Sequence, residues 1–186
     1  LASPLFMNTE SDLKDFFRID KKKYHQTTFY KDQRKKYSIL INADGKPTGG
    51  KWTFDIENRK KYPLKKVPPQ VKFPDSDEYY EEAKLYVNKY FSDHYGTLTK
   101  NPLYPTSFES TKGWLHQFFE HRFFEFGDYE DAILKDNSIL NHSVLTPMLN
   151  VGLIEPTEII NECLNYARIN NCLLYTSPSP RDFQVS

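Results

Sequence analysis

Residues 106–127 read TSFESTKGWLHQFFEHRFFEFG, and this stretch decides the fold class. Thr106 followed by Glu109 has the form of a capping box, which satisfies two backbone donors at a helix start. Leu115, Phe118, Phe119 and Phe123 then recur at helical spacing, so one face of a helix over about 107–125 is apolar and aromatic. Gly127 is placed to close it as a C-cap.

Working outward, the same period appears on both sides. Tyr79, Ala83, Tyr86, Val87 and Tyr90 fall at i, i+4, i+7, i+8 and i+11, predicting a helix over about 77–93. Ile159, Ile160, Cys163, Leu164 and Ala167 predict another over 156–170. Thr146 as cap and Pro147 at the first position predict a short helix over 147–151, and 128–136 has room for another. Thr9 with Asp12 opens a helix over 9–19, and 24–36 (YHQTTFYKDQRKK) is a polar, basic helix. Residues 38–41 (SILI) read as a strand or extended run closed by Asp44-Gly45. Residues 62–74 carry Pro63, Pro68, Pro69 and Pro74, which remove donors and fix φ, so they form an extended connector. No alternating strand pattern occurs, and the fold class is mainly α. The two aromatic faces, 79–90 and 115–123, are both of the kind that is buried against something.

Composition bounds the function. The 186 residues carry 25 Lys+Arg and 25 Asp+Glu, with 13 Tyr, 14 Phe and 2 Trp. Disordered chains are aromatic-poor, so this one has the means to fold. Only 7 Gly exclude collagen-like repeats. No apolar run approaches the roughly 18 residues that span a bilayer, so no membrane partner is expected. LASPLFMNTE lacks the features of a signal peptide, and two cysteines make no disulfide framework, which together point to a cytoplasmic, reducing compartment. The balanced charge is segregated. Lys14–Lys36 holds nine Lys/Arg and three acids, whereas Asp75–Asp93 holds six acids and two Lys. Such asymmetry suits an anionic partner, two surfaces that meet, or simply solvated helix faces.

Most candidate chemistry falls away. Gly45–Lys51 mimics a phosphate-binding loop, but Trp52 stands where a hydroxyl must bind magnesium, so the glycines read as a turn that lets Trp52 and Phe54 pack. Among His25, His94, His116, His121 and His142 none are four apart, so no metal site is assigned. His116 and Glu120 are spaced as a surface pair. The basic stretch Lys21–Lys36 interleaves Tyr24, His25, Phe29 and Tyr30 with cations, as nucleic-acid contacts do, and a solvated helix reads the same way. The sharpest candidate is NHSVLTP, 141–147, a polar stretch running into a helix start. Unpaired amides and the macrodipole favour an anion there, and the Ser143 and Thr146 hydroxyls add donors. A plain N-cap explains the same residues.

Three segments in order resemble one family, the deoxyribodipyrimidine photolyase-related proteins (iron–sulfur bacterial cryptochromes and prokaryotic (6-4) photolyases). The first is Phe29-Tyr30, Arg34, Gly45, Pro47, Gly49-Gly50-Lys51-Trp52, Phe54-Asp55 and Glu57-Asn58-Arg59. The second is Trp114-Leu115, Phe118, Arg122, Phe126-Gly127 and Tyr129–Ala132. The third is HSVLTPMLNVGL, 142–153. The resemblance implies a light-dependent FAD enzyme, a DNA lyase in which reduced flavin passes an electron to a UV pyrimidine photoproduct in damaged DNA. It implies that Tyr129, His142, Ser143, Leu145 and Thr146 contact FAD. It further implies that 1–75 is the end of an antenna domain with the interdomain linker, and that 76–171 begins an all-helical FAD-binding domain. The iron–sulfur cluster, the antenna chromophore and the catalytic residues are then expected only in missing N- and C-terminal parts of a longer protein, so the chain alone is expected to be inactive. Residues 172–186 (CLLYTSPSPRDFQVS) have no period and no cap. They resemble translated adapter read-through and read as a non-native or disordered tail. A self-contained helical nucleic-acid-binding module without catalysis is the alternative.

Overall fold

In the computed structural model, residues 3–54 and 60–172 are described. Among them the chain is helical, with two isolated β-bridges and no strand: α1 Glu10–Phe16, α2 Gln26–Lys36, α3 Glu78–Tyr90, α4 Phe108–His121, α5 Phe126–Tyr129, α6 Thr146–Asn150 and α7 Pro156–Ile169. A 3₁₀ turn, Phe123–Glu125, joins α4 to α5.

The N-terminal helices follow local chemistry. Thr9 and Asp12 form the reciprocal capping box that opens α1. Asp12 also accepts from Lys36 on α2 at 2.5 Å, and these bonds hold its carboxyl down at about 2. Residues 38–41 are not a strand. Ser38 (φ 54°) and Leu40 (φ 51°) are left-handed, and Ile41 makes a single bridge to Pro47. The cause is Arg34, which is 4% exposed. Its Nε donates to the Ile39 carbonyl at 3.1 Å, Nη2 to Leu40 at 2.8 Å and Nη1 to Trp52 at 2.9 Å. One guanidinium fork thereby gathers three carbonyls and folds the chain around itself. Gly45, Gly49 and Gly50 take φ near +80°, and the turn lets Phe54 be buried, as expected.

The caps of α4 and α6 differ from expectation. Ser107, not Thr106, caps α4, accepting from Ser110 N at 3.2 Å, with Ser110 rather than Glu109 completing the box. The Thr106 hydroxyl is engaged elsewhere, donating to the Asp77 carboxylate that caps α3. Helix α4 stops at His121, well before Gly127, because Arg122 leaves helical geometry (φ −128°, ψ −24°) and the 3₁₀ turn wraps Phe123 back onto Phe118 at 5.6 Å. Gly127 lies buried inside α5, which takes in Asp128 and Tyr129, and 130–136 is turn and irregular chain with a bridge between Leu134 and Asn137. Leu145 already has helical angles and its carbonyl accepts from Leu149 N at 3.0 Å, so α6 begins one residue early and Thr146 is not its cap.

Among the described residues two clusters of buried side chains stand out. The larger joins Trp114, Leu115, Phe118, Phe119 and Phe123 to Leu145, Met148, Ile154 and Ala167, with Phe119 stacked on Tyr166 of α7 at 5.0 Å. Each of the buried Leu, Ile, Phe and Met side chains contributes about 1.5–3 kcal/mol on burial. The smaller joins Tyr62, Tyr129, Ala132 and Leu140. The two aromatic faces therefore part company. That of α4 is covered, while Tyr79, Tyr86 and Tyr90 of α3 remain 55–59% exposed. The connector is extended but pinned. Lys60 N donates to the Asp128 carbonyl at 3.2 Å, Lys66 pairs with Glu125, and Gln117 both accepts from Lys72 N (2.8 Å) and donates to its carbonyl (3.0 Å). No described helix is long and apolar enough to cross a membrane. Asp55–Arg59 and the tail beyond Cys172 lie outside the described residues; Cys172 packs against the larger cluster.

Candidate functional site

The segment 140–146 crosses between the two clusters and is tied to the rest of the chain by two hydrogen bonds, with a third closing it on itself. Trp114, 2% exposed, donates its indole N–H to the Ser143 carbonyl at 3.0 Å. Asn141, 1% exposed, donates through Nδ2 to the Arg122 carbonyl at 3.4 Å. His142 turns its Nδ1 inward to accept from Leu140 N at 3.1 Å. Directly after these ties Val144 adopts φ 53°, a conformation that a β-branched residue avoids. The surrounding framework, not local preference, sets this backbone.

The five sequence-predicted residues fall into three places. Tyr129 is buried in the smaller cluster, 4.8 Å from the Tyr62 ring and beneath the Lys66 ammonium at 4.9 Å. Leu145 is buried in the larger cluster. His142, Ser143 and Thr146 line the crossing, and His142 also borders a recess of about 290 Å³ with Asp131, Asn137 and Ser138. Among the described residues the Ser143 and Thr146 hydroxyls take no hydrogen-bond partner, so both remain available as donors or acceptors. The expected His116–Glu120 pair is not made: Glu120 lies 3.8 Å from His121 instead.

The electrostatics centre on a residue that sequence reasoning did not single out for the site. Arg122 is 1% exposed, with its guanidinium 5.6 Å from the Trp114 ring and 5.8 Å from Phe118. Nη1 donates to Gln117 at 3.3 Å, while Nε and Nη2 have no partner among the described residues, and neither has Asn141 Oδ1. Burial draws the guanidinium down to about 10. Burial also lowers His142, opposed chiefly by a hydrogen bond with the Glu130 backbone and less by the Asp131 charge, with the Arg122 charge adding to burial. The signal for Arg122 was its spacing, three after Phe119 and seven after Leu115, which places it on the apolar face. Tyr62, whose buried hydroxyl also lacks a partner, lies in the aperiodic connector and gave no such signal. No described group of three or more His, Cys, Asp or Glu could hold a metal ion.

Residues 1–102, more than half the chain, match the family model described as deoxyribodipyrimidine photo-lyase-related protein. The chain belongs to this photolyase-related family. It is also 30% identical over 131 residues to a (6-4) photolyase of Agrobacterium fabrum (strain C58 / ATCC 33970), covering 70% of this chain and 25% of that protein. Two uncharacterized proteins of Acanthamoeba polyphaga mimivirus are similar over shorter stretches. One is 41% identical over 66 residues and the other 46% over 48, covering 34% and 25% of this chain and 33% and 37% of theirs. The photolyase-related chain thus spans about a quarter to somewhat over a third of the length of these relatives. The family-model match ends before α4, so the 140–146 crossing lies beyond it.

Proposed function

We propose that this chain is part of a light-dependent FAD photolyase or cryptochrome that repairs UV pyrimidine photoproducts in DNA. The observation that carries the reading is the match to a (6-4) photolyase across 70% of the chain, combined with a strained 140–146 segment, tied to Trp114 and to the Arg122 carbonyl, where FAD contacts are expected. The residues fit an anionic cofactor. The Ser143 and Thr146 hydroxyls have no partner among the described residues and are the kind of donor a phosphate-bearing group takes up, and Arg122, whose carbonyl holds Asn141, is a buried cation with no acid partner among them.

On this reading Ser143 and Thr146 donate to FAD phosphate oxygens, His142 and Leu145 hold the backbone in shape, and Tyr129 supports the nucleotide from the smaller cluster. When bound, reduced FAD supplies the electron that reverses the photoproduct, since the cofactor carries the hard chemistry and the protein supplies position. The lesion base must leave the duplex stack to reach it. The catalytic residues, the iron–sulfur cluster and the antenna chromophore belong to other parts of the longer protein, and neither Cys163 nor Cys172 is assigned to the cluster. The chain by itself does not repair DNA.

A nucleic-acid-binding role for the N-terminal part is favoured by one arrangement: Lys31 and Lys35, four apart on α2, stand 5.8 and 5.4 Å from the Trp52 ring. Cations around an aromatic ring suit a phosphate backbone with its bases.

The test is to extend the source gene past both ends, express the product and measure flavin absorbance and light-dependent repair of a UV-irradiated oligonucleotide. Flavin loss in a Ser143→Ala/Thr146→Val variant supports the assignment. A longer protein that binds no flavin refutes it. Repair by the 186-residue chain alone refutes the assignment of catalysis to other parts.

A further inference from the structure

Helix α3 is joined to the rest of the chain by polar ties rather than by a core. Asp77 caps it and accepts the Thr106 hydroxyl, and the Tyr80 hydroxyl donates to the Thr99 carbonyl at 3.0 Å. None of its thirteen residues is buried; Tyr80, Lys84 and Val87 are half-buried and mark the inward side. At about 3.6 residues per turn, Tyr79, Ala83, Tyr86 and Tyr90 fall on one line of the helix. All four are exposed, and the Tyr86 and Tyr90 rings already pack together at 4.7 Å. The line beside it, away from the inward side, carries Glu78, Glu82 and Lys89, all exposed. These three charges make no ion pair among the described residues, whereas Glu81 pairs with Lys84 at 3.1 Å.

We propose that this face pairs α3 with α3 of a second copy of the chain, antiparallel, about a two-fold axis near the middle of the tyrosine line. The charges select the occupant. The acids stand at the N-terminal end of the flank and the lysine at its C-terminal end. An antiparallel copy brings Lys89 between Glu78 and Glu82 of the other, twice by symmetry, and opposes the two helix dipoles. A parallel copy sets like charge against like. The basic stretch of α2 is a poorer match, because its cations would meet Lys89 as well as the two glutamates. The uncharged line fits the same register. Tyr79 comes opposite Tyr90 and Ala83 opposite Tyr86, a small residue facing a large one, which lets the helices approach closely. The line from Tyr79 to Tyr90 is about 16 Å long. That is small for a specific interface, so the association is a weak one. The inference goes beyond the cofactor reading and does not depend on it.

The test is sedimentation of the 186-residue chain over a concentration series. The expected result is a monomer–dimer equilibrium with a dissociation constant of about 10–100 μM, as suits a small interface. Tyr86→Arg, at the centre of the line, abolishes the dimer. Lys89→Glu weakens it about tenfold, since two symmetric attractions become repulsions. Glu82→Lys weakens it similarly, and the double variant Glu82→Lys/Lys89→Glu, which restores opposite charges across the axis, recovers most of the loss. A chain that stays monomeric to about 1 mM, well above that range, overturns the proposal. So does a dimer that Tyr86→Arg leaves intact, because it forms through another surface, or one that the double variant fails to recover, because its helices are not antiparallel. Should Tyr86→Arg not fold, the single and double charge variants, all on the exposed flank, decide by the same recovery. The longer gene product is run alongside. If it is monomeric, the pairing fails for the protein as a whole, and shielding of the α3 tyrosines from nitration then identifies the rest of the protein as the occupant.

Discussion

Replacing Trp114 by Phe separates the stability of the core from the placement of the 140–146 segment. The indole is 2% exposed, lies in the larger cluster and donates to the Ser143 carbonyl at 3.0 Å. Losing the smaller of its two rings leaves a partial void, worth about 1–2 kcal/mol on the scale of large-to-small core changes. Losing the hydrogen bond costs about 1 kcal/mol, and more if the Ser143 carbonyl finds no water. The total is about 2–4 kcal/mol of global stability. The hydrogen-bond part belongs to the segment itself. About 1 kcal/mol corresponds to roughly a fivefold rise in local opening, and Val144 at φ 53° relaxes once released. The assay is native-state hydrogen exchange of the amides from His142 to Thr146, with denaturant unfolding alongside. Leu115→Ala is the control. Leu115 is 4% exposed in the same cluster, its loss costs about 2–5 kcal/mol, and it bonds nothing in the segment. Trp114→Phe is expected to free the segment beyond what its global loss explains, and Leu115→Ala is not. If the segment amides track the α4 core amides equally in both variants, Trp114 does not hold the segment and the reasoning fails.

Arg34→Lys is expected to lose about 2–4 kcal/mol, since a single ammonium cannot serve the Ile39, Leu40 and Trp52 carbonyls that the fork bridges; limited proteolysis between 38 and 52 reads the loss. His142 has a folded pKa below its ordinary value. Stability is therefore complete above that value and is lost as pH falls from it toward the lowered one, because the unfolded chain takes the proton first. His142→Gln should flatten the change in melting temperature between about pH 7 and pH 5, read from thermal melts at the two pH values. Cys163, pushed up to about 12 by burial, should react slowly with iodoacetamide at neutral pH in the native chain and promptly in denaturant; rapid native alkylation would show that the packing of α7 is wrong.

Periodicity found α3, α4 and α7 within a few residues, because a helix face repeats in the sequence whatever lies against it. For the same reason it could not distinguish the faces of α3 and α4, one open and one covered. The period tells which side chains share a face, and only distant chain decides whether that face is buried. The shifted cap at α4 has a similar origin. Thr106 and Ser107 are equally good caps locally, and the choice falls to Ser107 because Asp77, nearly thirty residues earlier, takes the Thr106 hydroxyl. The 141–147 stretch was legible as a polar run into a helix. What holds it was not: Trp114, Arg122 and Asn141 come together only when α4 and the crossing pack. A charge at the end of an aromatic face reads in sequence as the point where the face meets water.

The stretch from Lys60 to Lys72, so rich in proline, looks like a tether. It is better regarded as a strut. Stiffened by prolines and riveted at Asp128, Glu125 and Gln117, it has little freedom to swing along its own length. A push or rotation arriving at Lys60 is passed along it to α5, to the turn before it and to the middle of α4, the helix that carries Trp114. Lengthening it by one residue would therefore not loosen the molecule so much as mis-set it, like a brace cut to the wrong measure, and the error would emerge at Ser143.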